Sequence, residues 1–464
     1  MRRRLLNIAA AFVVLFALLA AQEARVQLVD RAAIDERSGN PRYAQGNAAR
    51  GELLDATGVP LAYSKGGKRI YPAGPALAQI VGYSSPVYGE SGLEAAFDTV
   101  ISPVSSGADA AGIDGLLRHQ DKQTVRAGSV VLTLRRDIAA VVDAAMPAGV
   151  RGAAVVLDPR TGAVLAVVNR PTFDPNDVEK SFSGLRTRPD SPLLDRALDG
   201  LYPPGSTFKI FTASAALDRG AIDVSDTFSD PGYFQIGQYS VHNDQNEVTG
   251  TQDVTGAFAL SSNVDFAQIG VKLGTDDFYA YLQRFGVGGD IGLPVPVSRD
   301  DVPPVTSISP SELAQMAFGQ GGLTVTPMRM ALIASAIANR GTMMRPMLLK
   351  EIRIPGRPPL RIPASVWGRP VSSDTADEVR SMMEAVVRYG TGTAAALPSV
   401  TVAGKTGTGT HNGAPPDAWF VCFAPAEAPR LAVAVLVEDA GYGGAVSAPI
   451  ARAILQGSLP LYPR

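Results

Sequence analysis

The longest apolar run of the sequence lies at its amino terminus. Arg2 to Arg4 precede about seventeen largely apolar residues, Leu5 to Ala21, a length at the lower limit for crossing a bilayer. We predict a signal anchor over residues 1–25, with the arginines in the cytoplasm and the rest of the chain outside the membrane. Small residues near Ala21 also fit a signal-peptide cleavage site, so cleavage stays open.

Residues 26–128 show no long periodic pattern. Short apolar stretches alternate with turn-forming segments such as Asn40-Pro-Arg42 and Ile80-Val-Gly-Tyr83, which favours short strands joined by turns. A short amphipathic helix is predicted to begin at Ser91. This part of the sequence offers no cluster of nucleophile, base or metal ligands, and we therefore predict a structural or partner-binding domain.

Residues 129–464 form the predicted second domain. Continuous apolar runs predict strands, and apolar residues at helical spacing predict helices. The predicted strands are residues 130–134, 153–157, 164–168, 400–405, 419–423 and 431–437, and the predicted helices are 138–146, a mainly helical stretch from 206 to about 339, and 449–456. Strands on both sides of a helical middle imply an α+β fold in which helices cover the faces of one sheet.

Composition narrows the possible functions. The 464-residue chain has a net charge of −2 and no basic run beyond its N-terminal arginines, so no nucleic-acid partner is predicted. One cysteine, Cys422, excludes an intrachain disulfide, and the three histidines are widely separated in the sequence, so we predict no metal or other cofactor. The sequence also lacks the G-x-S-x-G motif of many Ser-His-Asp hydrolases.

The segment Tyr202-Pro-Pro-Gly-Ser-Thr-Phe-Lys209 carries the first candidate chemistry. Prolines and a glycine end one segment and helical spacing starts at once, which predicts Ser206 at a helix N-terminus. Lys209 follows three residues later and is expected on the same helix face. A serine with an amine in reach at an electropositive helix end is typical of an activated nucleophile. Alternatively, Ser206 is a capping residue followed by a surface lysine.

Two later segments add further polar residues. Leu260-Ser-Ser-Asn263 lies between two predicted helices, where such a cluster usually caps a helix. Ala403-Gly-Lys-Thr-Gly-Thr408 is predicted as a strand in which Gly407 leaves room for another backbone to approach. Its Gly-Lys-Thr triplet also suggests a phosphate loop, but Ser399 stands where that motif requires glycine, and the surroundings predict a strand.

The order Ser-x-x-Lys, Ser-x-Asn, Lys-Thr-Gly resembles the three motifs of penicillin-binding proteins and class A β-lactamases. Ser262 stands at the centre of the middle motif, where that pattern has aspartate. Other segments resemble class B penicillin-binding proteins: Leu157-Asp-Pro-Arg-Thr-Gly162, Leu194-Asp-Arg-Ala197, Gly319-Gln-Gly321, Thr326-Pro327, Trp419-Phe-Val421, Arg50-Gly51 and Gly92-Leu-Glu94. The resemblance implies an antiparallel five-stranded sheet flanked by helices, a helical subdomain, a smaller mixed N-terminal pedestal and a single membrane anchor.

The resemblance also implies roles for the first two motifs. Ser206 would attack a substrate carbonyl, and Lys209 would take its proton once burial and the neighbouring Lys405 have lowered the lysine's pKa. Ser261 would relay a proton to the leaving amine. Asn263 would hold Lys209 and bind the substrate amide.

The third motif is expected to hold the substrate. Lys405, Thr406 and Thr408 would contact its terminal carboxylate, and the substrate would pair with this strand as an additional β-strand. Gly407 would keep the strand edge clear. The backbone N–H groups of Ser206 and Thr408 would form an oxyanion hole.

The function implied by the resemblance is D,D-transpeptidation of peptidoglycan stem peptides, inhibited by β-lactams, by a single-pass protein of the cell membrane. A separate glycan-polymerising membrane partner is expected, because the N-terminal domain shows no such machinery. Water as the acceptor would instead give a D,D-carboxypeptidase or a β-lactamase. A penicillin-binding sensor without turnover and an inactive structural protein are further alternatives.

Overall fold

The structure, a computed structural model, describes residues 50–102, 127–411 and 413–463. The predicted anchor over residues 1–25 lies outside these ranges. Among the helices of the described ranges, none combines the length and the apolar character needed to span a bilayer.

Short strands occur throughout the described part of the chain. In chain order they are β1 Leu53–Leu54, β2 Pro60–Lys65, β3 Lys68–Ile70, β4 Ser84–Ser85, β5 Gly89–Glu90, β6 Ser129–Leu132, β7 Gly152–Leu157, β8 Val164–Arg170, β9 Thr227–Asp230, β10 Tyr233–Ile236, β11 Tyr239–His242, β12 Gly250–Asp253, β13 Met343–Met344, β14 Leu349–Arg353, β15 Leu360–Arg361, β16 Val366–Gly368, β17 Ala403–Gly409, β18 Asp417–Ala424 and β19 Leu431–Val437.

The α-helices lie between and after these strands. The helices are α1 Ala78–Val81, α2 Gly92–Ala96, α3 Asp98–Ile101, α4 Arg136–Ala145, α5 Val178–Leu185, α6 Lys209–Asp218, α7 Val254–Leu260, α8 Asn263–Leu273, α9 Thr275–Arg284, α10 Pro310–Met316, α11 Pro327–Ala338, α12 Ser373–Arg388 and α13 Ser447–Ser458. The helix predicted at 449–456 and the strand predicted at 431–437 therefore form where the apolar patterns placed them.

The central sheet has five strands in the order β17-β18-β19-β7-β8, and every neighbouring pair is antiparallel. All residues of β18 and β19 are buried, so both faces of the sheet are covered. Helix α11 packs on β7, β18 and β19, while α4 and α13 pack together and against β8, β18 and β19. The predicted α+β fold is confirmed, and β17 lies at the edge of its sheet.

A second, six-stranded sheet has the order β15-β14-β6-β1-β2-β3. Its β1 and β6 are parallel, and its other neighbouring strands are antiparallel. Strands β6, β14 and β15 follow residue 128, whereas β1 to β3 precede it. Strands from both sides of the predicted domain boundary thus share one sheet, and the boundary itself stays a prediction.

The prediction that helices dominate from residue 206 to about 339 is wrong for residues 227–253. Strands β9 and β12 pair with each other there, and β10 pairs with β11. Each of these strands has only four residues, which is too short for a clear period of two. In β9 the two buried positions are Phe228 and Asp230. Because one of the two is an aspartate, the sequence does not show the alternation of apolar and polar residues that predicts a strand.

Candidate active site

Ser206 lies on a short 3-10 turn at the start of a buried helix. The turn Gly205–Phe208 continues directly as α6. Gly205 has a φ of +51°, and a Cβ built there would lie 2.3 Å from the carbonyl oxygen of Thr408, so this position requires glycine. Residues i and i+3 eclipse in a 3-10 turn, which places Lys209 on the same side as Ser206.

Helix α6 is buried from Lys209 to Ala216, so it is a core helix and not an amphipathic surface helix. Lys209 itself has no exposed surface, whereas Ser206 at the preceding turn is partly exposed. The alternative that Lys209 is a surface lysine is therefore wrong. The nucleophile candidate faces a cleft, and its lysine lies beneath the floor of that cleft.

The middle motif forms the break between two helices. Ser261 ends α7 in the left-handed conformation, with φ 65° and ψ 33°, which is strained for a residue other than glycine. Ser262 caps α8, because its Oγ accepts a hydrogen bond from Asp265 N at 3.0 Å. The capping interpretation thus holds for Ser262. The Ser261 hydroxyl is left to interact with both buried lysines.

Lys209 and Lys405 converge on Ser261. Lys209 Nζ donates to the Ser261 carbonyl oxygen at 2.6 Å, to Asn263 Oδ1 at 2.8 Å and to Ser261 Oγ at 3.3 Å. Lys405 Nζ donates to the same Oγ at 2.9 Å. Three acceptors around Lys209 Nζ match the three donors of an ammonium group. Within the described ranges, Ser206 Oγ makes no hydrogen bond, so the Ser206–Lys209 contact expected of a base is not formed in this arrangement.

Burial lowers the pKa of both lysines. For Lys209 desolvation brings the pKa to about 7, partly opposed by the carboxylates of Asp244, Asp265 and Asp230. For Lys405 desolvation and then the nearby charge of Lys209 lower the pKa well below its ordinary range, and Asp244 acts in the opposite direction. An amine with a pKa near 7 exchanges its proton readily at neutral pH, as a general base must.

The Lys-Thr-Gly motif lies on β17, at the edge of the central sheet. Lys405 is fully buried and Thr406 is nearly so. A Cβ on Gly407 would lie 2.8 Å from Pro204 O and 2.8 Å from Thr207 Cγ2. The close approach that needs this glycine is therefore made by the chain's own turn around Ser206.

The predicted site residues surround one cleft of about 330 Å³. Ser206, Ser261 and the segment Thr406–Thr408 line it directly. Lys209 and Lys405 contact Ser261 from below, and Asn263 contacts Lys209. Three distant segments complete the walls, and their residues in the cleft are Asn243, Asp244, Gln245, Glu247, Thr249, Thr391, Tyr442, Gly443, Gly444 and Ala445.

Sequence reasoning missed the residues of these three segments. Asn243 to Thr249 follow β11, within the stretch predicted as helical, and Gln245 Nε2 donates to Tyr442 Oη at 3.2 Å across the cleft. Gln245 and Asn246 both have positive φ values. The polar run His-Asn-Asp-Gln-Asn from 242 to 246 is the signal that would have indicated a loop.

The hairpin between β17 and β18 brings together a histidine and two aspartates. His411 Nε2 lies 3.2 Å from Asp417 Oδ1 and 3.5 Å from Asp439 Oδ1. Arg151 already pairs with Asp439, so its guanidinium group supplies a positive charge to this cluster. These residues do not line the cleft.

A serine at a helix start, two buried lysines and a sheet-edge strand that lines the cleft define a site of the serine acyl-transfer class. The sequence matches the "Penicillin binding protein transpeptidase domain" over residues 152–456 and the "Penicillin binding protein A dimerisation domain" over residues 50–125. The chain belongs to the penicillin-binding protein family, as the resemblance of its motifs predicted.

Named relatives and solved structures agree with this assignment. The chain is 33% identical to the peptidoglycan D,D-transpeptidase PbpA of Mycolicibacterium smegmatis, over 99% of each chain. It is 31% identical to PbpA of Mycobacterium tuberculosis, over 98% of each chain. The ceftriaxone acyl-enzyme complex of penicillin-binding protein A from M. tuberculosis superposes with a TM-score of 0.81 at 31% identity, covering 90% of this chain and 99% of that chain.

Proposed function

We propose that this chain is a peptidoglycan D,D-transpeptidase that works through an ester on Ser206 and is inhibited by β-lactams. The observation that carries the proposal is the position of Ser206 in a cleft whose floor holds Ser261 between two buried lysines. Similarity to proteins named D,D-transpeptidases over nearly the whole chain supports it.

In the acylation step, neutral Lys209 takes the proton of Ser206 as Oγ attacks the carbonyl of the penultimate D-alanine. A neutral amine has two donors and one lone pair, so loss of one proton frees one of the three contacts of Nζ for Ser206. The bond to the terminal D-alanine then breaks, and the leaving nitrogen takes a proton that Ser261 relays from Lys209. The products are the acyl-serine and free D-alanine.

Substrate binding is assigned to β17. An extended peptide adds to this open sheet edge by main-chain hydrogen bonds. Lys405, Thr406 and Thr408 offer one cation and two hydroxyls to the terminal carboxylate of the stem peptide or the carboxylate of a β-lactam. The backbone N–H groups of Ser206 and Thr408 would stabilise the oxyanion, and losing such a donor typically costs about 10²–10³ in rate.

The second step transfers the acyl group to an amine of another stem peptide, which restores Ser206 and completes the cross-link. We assign the chain to the outer face of the cell membrane, with residues 1–25 as its single anchor. A glycan-polymerising membrane protein is its proposed partner. The predicted N-terminal domain, residues 26–128, and the catalytic domain, residues 129–464, stay part of this proposal.

Labelling with a fluorescent penicillin tests the nucleophile. Ser206→Ala is expected to abolish covalent labelling, because the hydroxyl proposed to form the ester is removed. Ser183→Ala, an exposed serine on α5, is the matched control and is expected to label like the wild type. Label that persists on the Ser206→Ala protein would overturn the assignment.

A donor and acceptor peptide assay tests the acceptor. A transpeptidase releases D-alanine and forms cross-linked product in parallel, whereas a carboxypeptidase releases D-alanine without that product. The lifetime of the penicillin label separates the remaining alternative, because a β-lactamase loses its label quickly. Rapid loss of label would replace the transpeptidase proposal with hydrolysis.

A further inference from the structure

The carboxylate of Asp230 is the centre of a buried polar cluster next to the middle motif. Asp230 has no exposed surface. Its Oδ2 accepts hydrogen bonds from Asn243 Nδ2 at 2.6 Å, Thr249 Oγ1 at 2.5 Å and Ser262 Oγ at 2.9 Å, and its Oδ1 accepts from Gly232 N at 2.8 Å. The side chains of Asp230, Asn243, Thr249 and Ser262 are called the Asp230 cluster below.

Two members of the Asp230 cluster connect it to the backbone of the motif. Asn243 Oδ1 accepts from Asn263 N at 2.7 Å and from Val264 N at 3.2 Å. Ser262 donates its hydroxyl proton to Asp230 and accepts from Asp265 N. Because a carboxylate only accepts, Asp230 fixes the amide of Asn243 and the hydroxyl of Ser262 in these orientations.

The same short segment holds both lysines of the site. Ser261 precedes Ser262 and provides two acceptors to Lys209 and one to Lys405. Asn263 follows Ser262 and provides the remaining acceptor of Lys209. A displacement of Ser262 or of the backbone at Asn263 would therefore misplace the groups that hold Lys209.

We propose that Asp230 is a positioning residue for acylation, acting through Asn243 and Ser262 to fix Ser261 and Asn263 against Lys209. The proposal deepens, and rests on, the proposed acylation of Ser206. None of the three sequence motifs contains Asp230 or Asn243, which lie on the strand β9 and after β11.

Hydrogen bonding keeps Asp230 in its charged form. Burial opposes ionisation, but the contacts from Thr249, Asn243, Gly232 and Ser262 outweigh it and lower the pKa of this carboxyl. The ionisable groups that face Lys209 are then the carboxylates of Asp230, Asp244 and Asp265 and the amine of Lys405. A negative charge at Asp230 favours protonated Lys209, so the cluster also opposes part of the effect of burial.

The test is the acylation rate of Asp230→Asn with fluorescent penicillin across a range of pH. Asparagine keeps the shape of the aspartate side chain but replaces one of its two acceptor oxygens with a donor. We therefore expect the acylation rate at the plateau of the pH profile to fall about tenfold, as for a lost hydrogen bond to a charged group. The rising limb of the profile is expected to move to lower pH, since one of the three carboxylates that raise the pKa of Lys209 is gone. Asp226→Asn, an exposed aspartate near the same strand, is the control and is expected to acylate normally.

A double-mutant cycle with Asn243→Ala separates positioning from general loss of stability. If Asp230 acts through Asn243, the two rate effects are less than multiplicative, because the second substitution removes a contact already lost. Thr249→Val removes one hydrogen bond to Asp230 and leaves the middle motif unchanged. This variant tests the proposal even if Asp230→Asn does not fold. We expect it to slow acylation less than Asn243→Ala does.

Three results would overturn the positioning role. They are a plateau rate of folded Asp230→Asn within twofold of the wild type, fully multiplicative effects with Asn243→Ala, and a Thr249→Val rate equal to the wild type while Asp230→Asn fails to fold. Failure of the proposed function has a separate signature, which is covalent label on Ser206→Ala.

Discussion

Two buried charged clusters of this chain differ in how their charges are balanced. In the N-terminal region, Glu94 has no exposed surface and lies between two arginines, with Nε–O distances of 3.3 Å to Arg50 and 2.6 Å to Arg69. At the floor of the cleft, Lys209 and Lys405 are equally buried. Their hydrogen bonds go to a carbonyl, an amide and a hydroxyl, and within the described part of the chain none goes to a carboxylate.

The difference explains why one cluster is structural and the other is suited to proton transfer. A buried carboxylate between two guanidinium groups has a permanent cation on each side, because arginine does not lose its proton in proteins. A buried ammonium held only by neutral acceptors loses much of its preference for the charged form. The cleft therefore holds amines that can exchange a proton, whereas the Glu94 cluster holds a carboxylate between two permanent cations.

The largest effect is expected for Lys209→Arg. Arginine keeps a positive charge and can donate to Ser261 and Asn263, but it cannot act as a base near neutral pH. We expect the rate of penicillin acylation to fall by about 10²–10⁴, the usual contribution of general base catalysis. Lys272→Arg, an exposed lysine paired with Asp226, is the matched control.

Thermal unfolding shows whether the Lys209→Arg protein is folded when its rate is measured. A folded variant that acylates within tenfold of the wild type would break the comparison, because a proton-exchanging amine would then not be needed at this position.

The next largest effect is expected for Glu94→Gln, which should lower the free energy of unfolding without changing the acylation rate. The substitution leaves Arg69 buried beside a neutral group, while Arg50 keeps its ion pair with Asp98 at 2.7 Å. Breaking a buried ion pair typically costs about 3–5 kcal/mol. Denaturant unfolding measures the loss. Acylation at temperatures where the variant is folded should match the wild type.

Glu90→Gln is the matched control for Glu94→Gln. Glu90 lies 3.7 Å from Arg50 with 30% of its side chain exposed, and such a pair contributes at most about 1 kcal/mol. Equal losses for Glu90→Gln and Glu94→Gln would contradict the assignment of Glu94 as the centre of its cluster.

The fold was predictable where apolar runs are long. The strand at 431–437 and the helix at 449–456 form as predicted, because the strand is an apolar run and the helix has an apolar face that packs into the core. The strands β9 to β12 were not predicted. They are short, and Asp230 occupies a position in β9 where the periodic pattern requires an apolar residue.

The candidate site was predictable only as far as short motifs identify it. The motifs place Ser206, Ser261 and Lys405 in the sequence, and the fold brings them to one cleft. Two things could not be read from the motifs. Gly407 packs on the turn of Ser206, and Asn243 reaches the middle motif from a separate loop, because both contacts depend on how distant segments meet.

The smallest predicted effect is the pH dependence that the cleft gives to stability. The pKa of Lys209 is about 7 in the folded chain and about 10.4 for an unperturbed lysine. Between these values the unfolded chain binds more protons, so the free energy of unfolding rises with pH. One lysine contributes a slope of at most about 1.4 kcal/mol per pH unit, and the lowered pKa of Lys405 adds in the same direction.

Lys209→Met tests this contribution, because methionine fills similar space without a charge. Denaturant unfolding at pH 7.5 and pH 8.5 should show a smaller gain for the variant than for the wild type, while Lys272→Met should keep the wild-type gain. The Glu94 cluster does not enter the difference, because it is the same in the wild type and in the variant. Equal gains for the wild type and Lys209→Met would mean that Lys209 is fully charged in the folded chain, and the contrast between the two clusters would then fail.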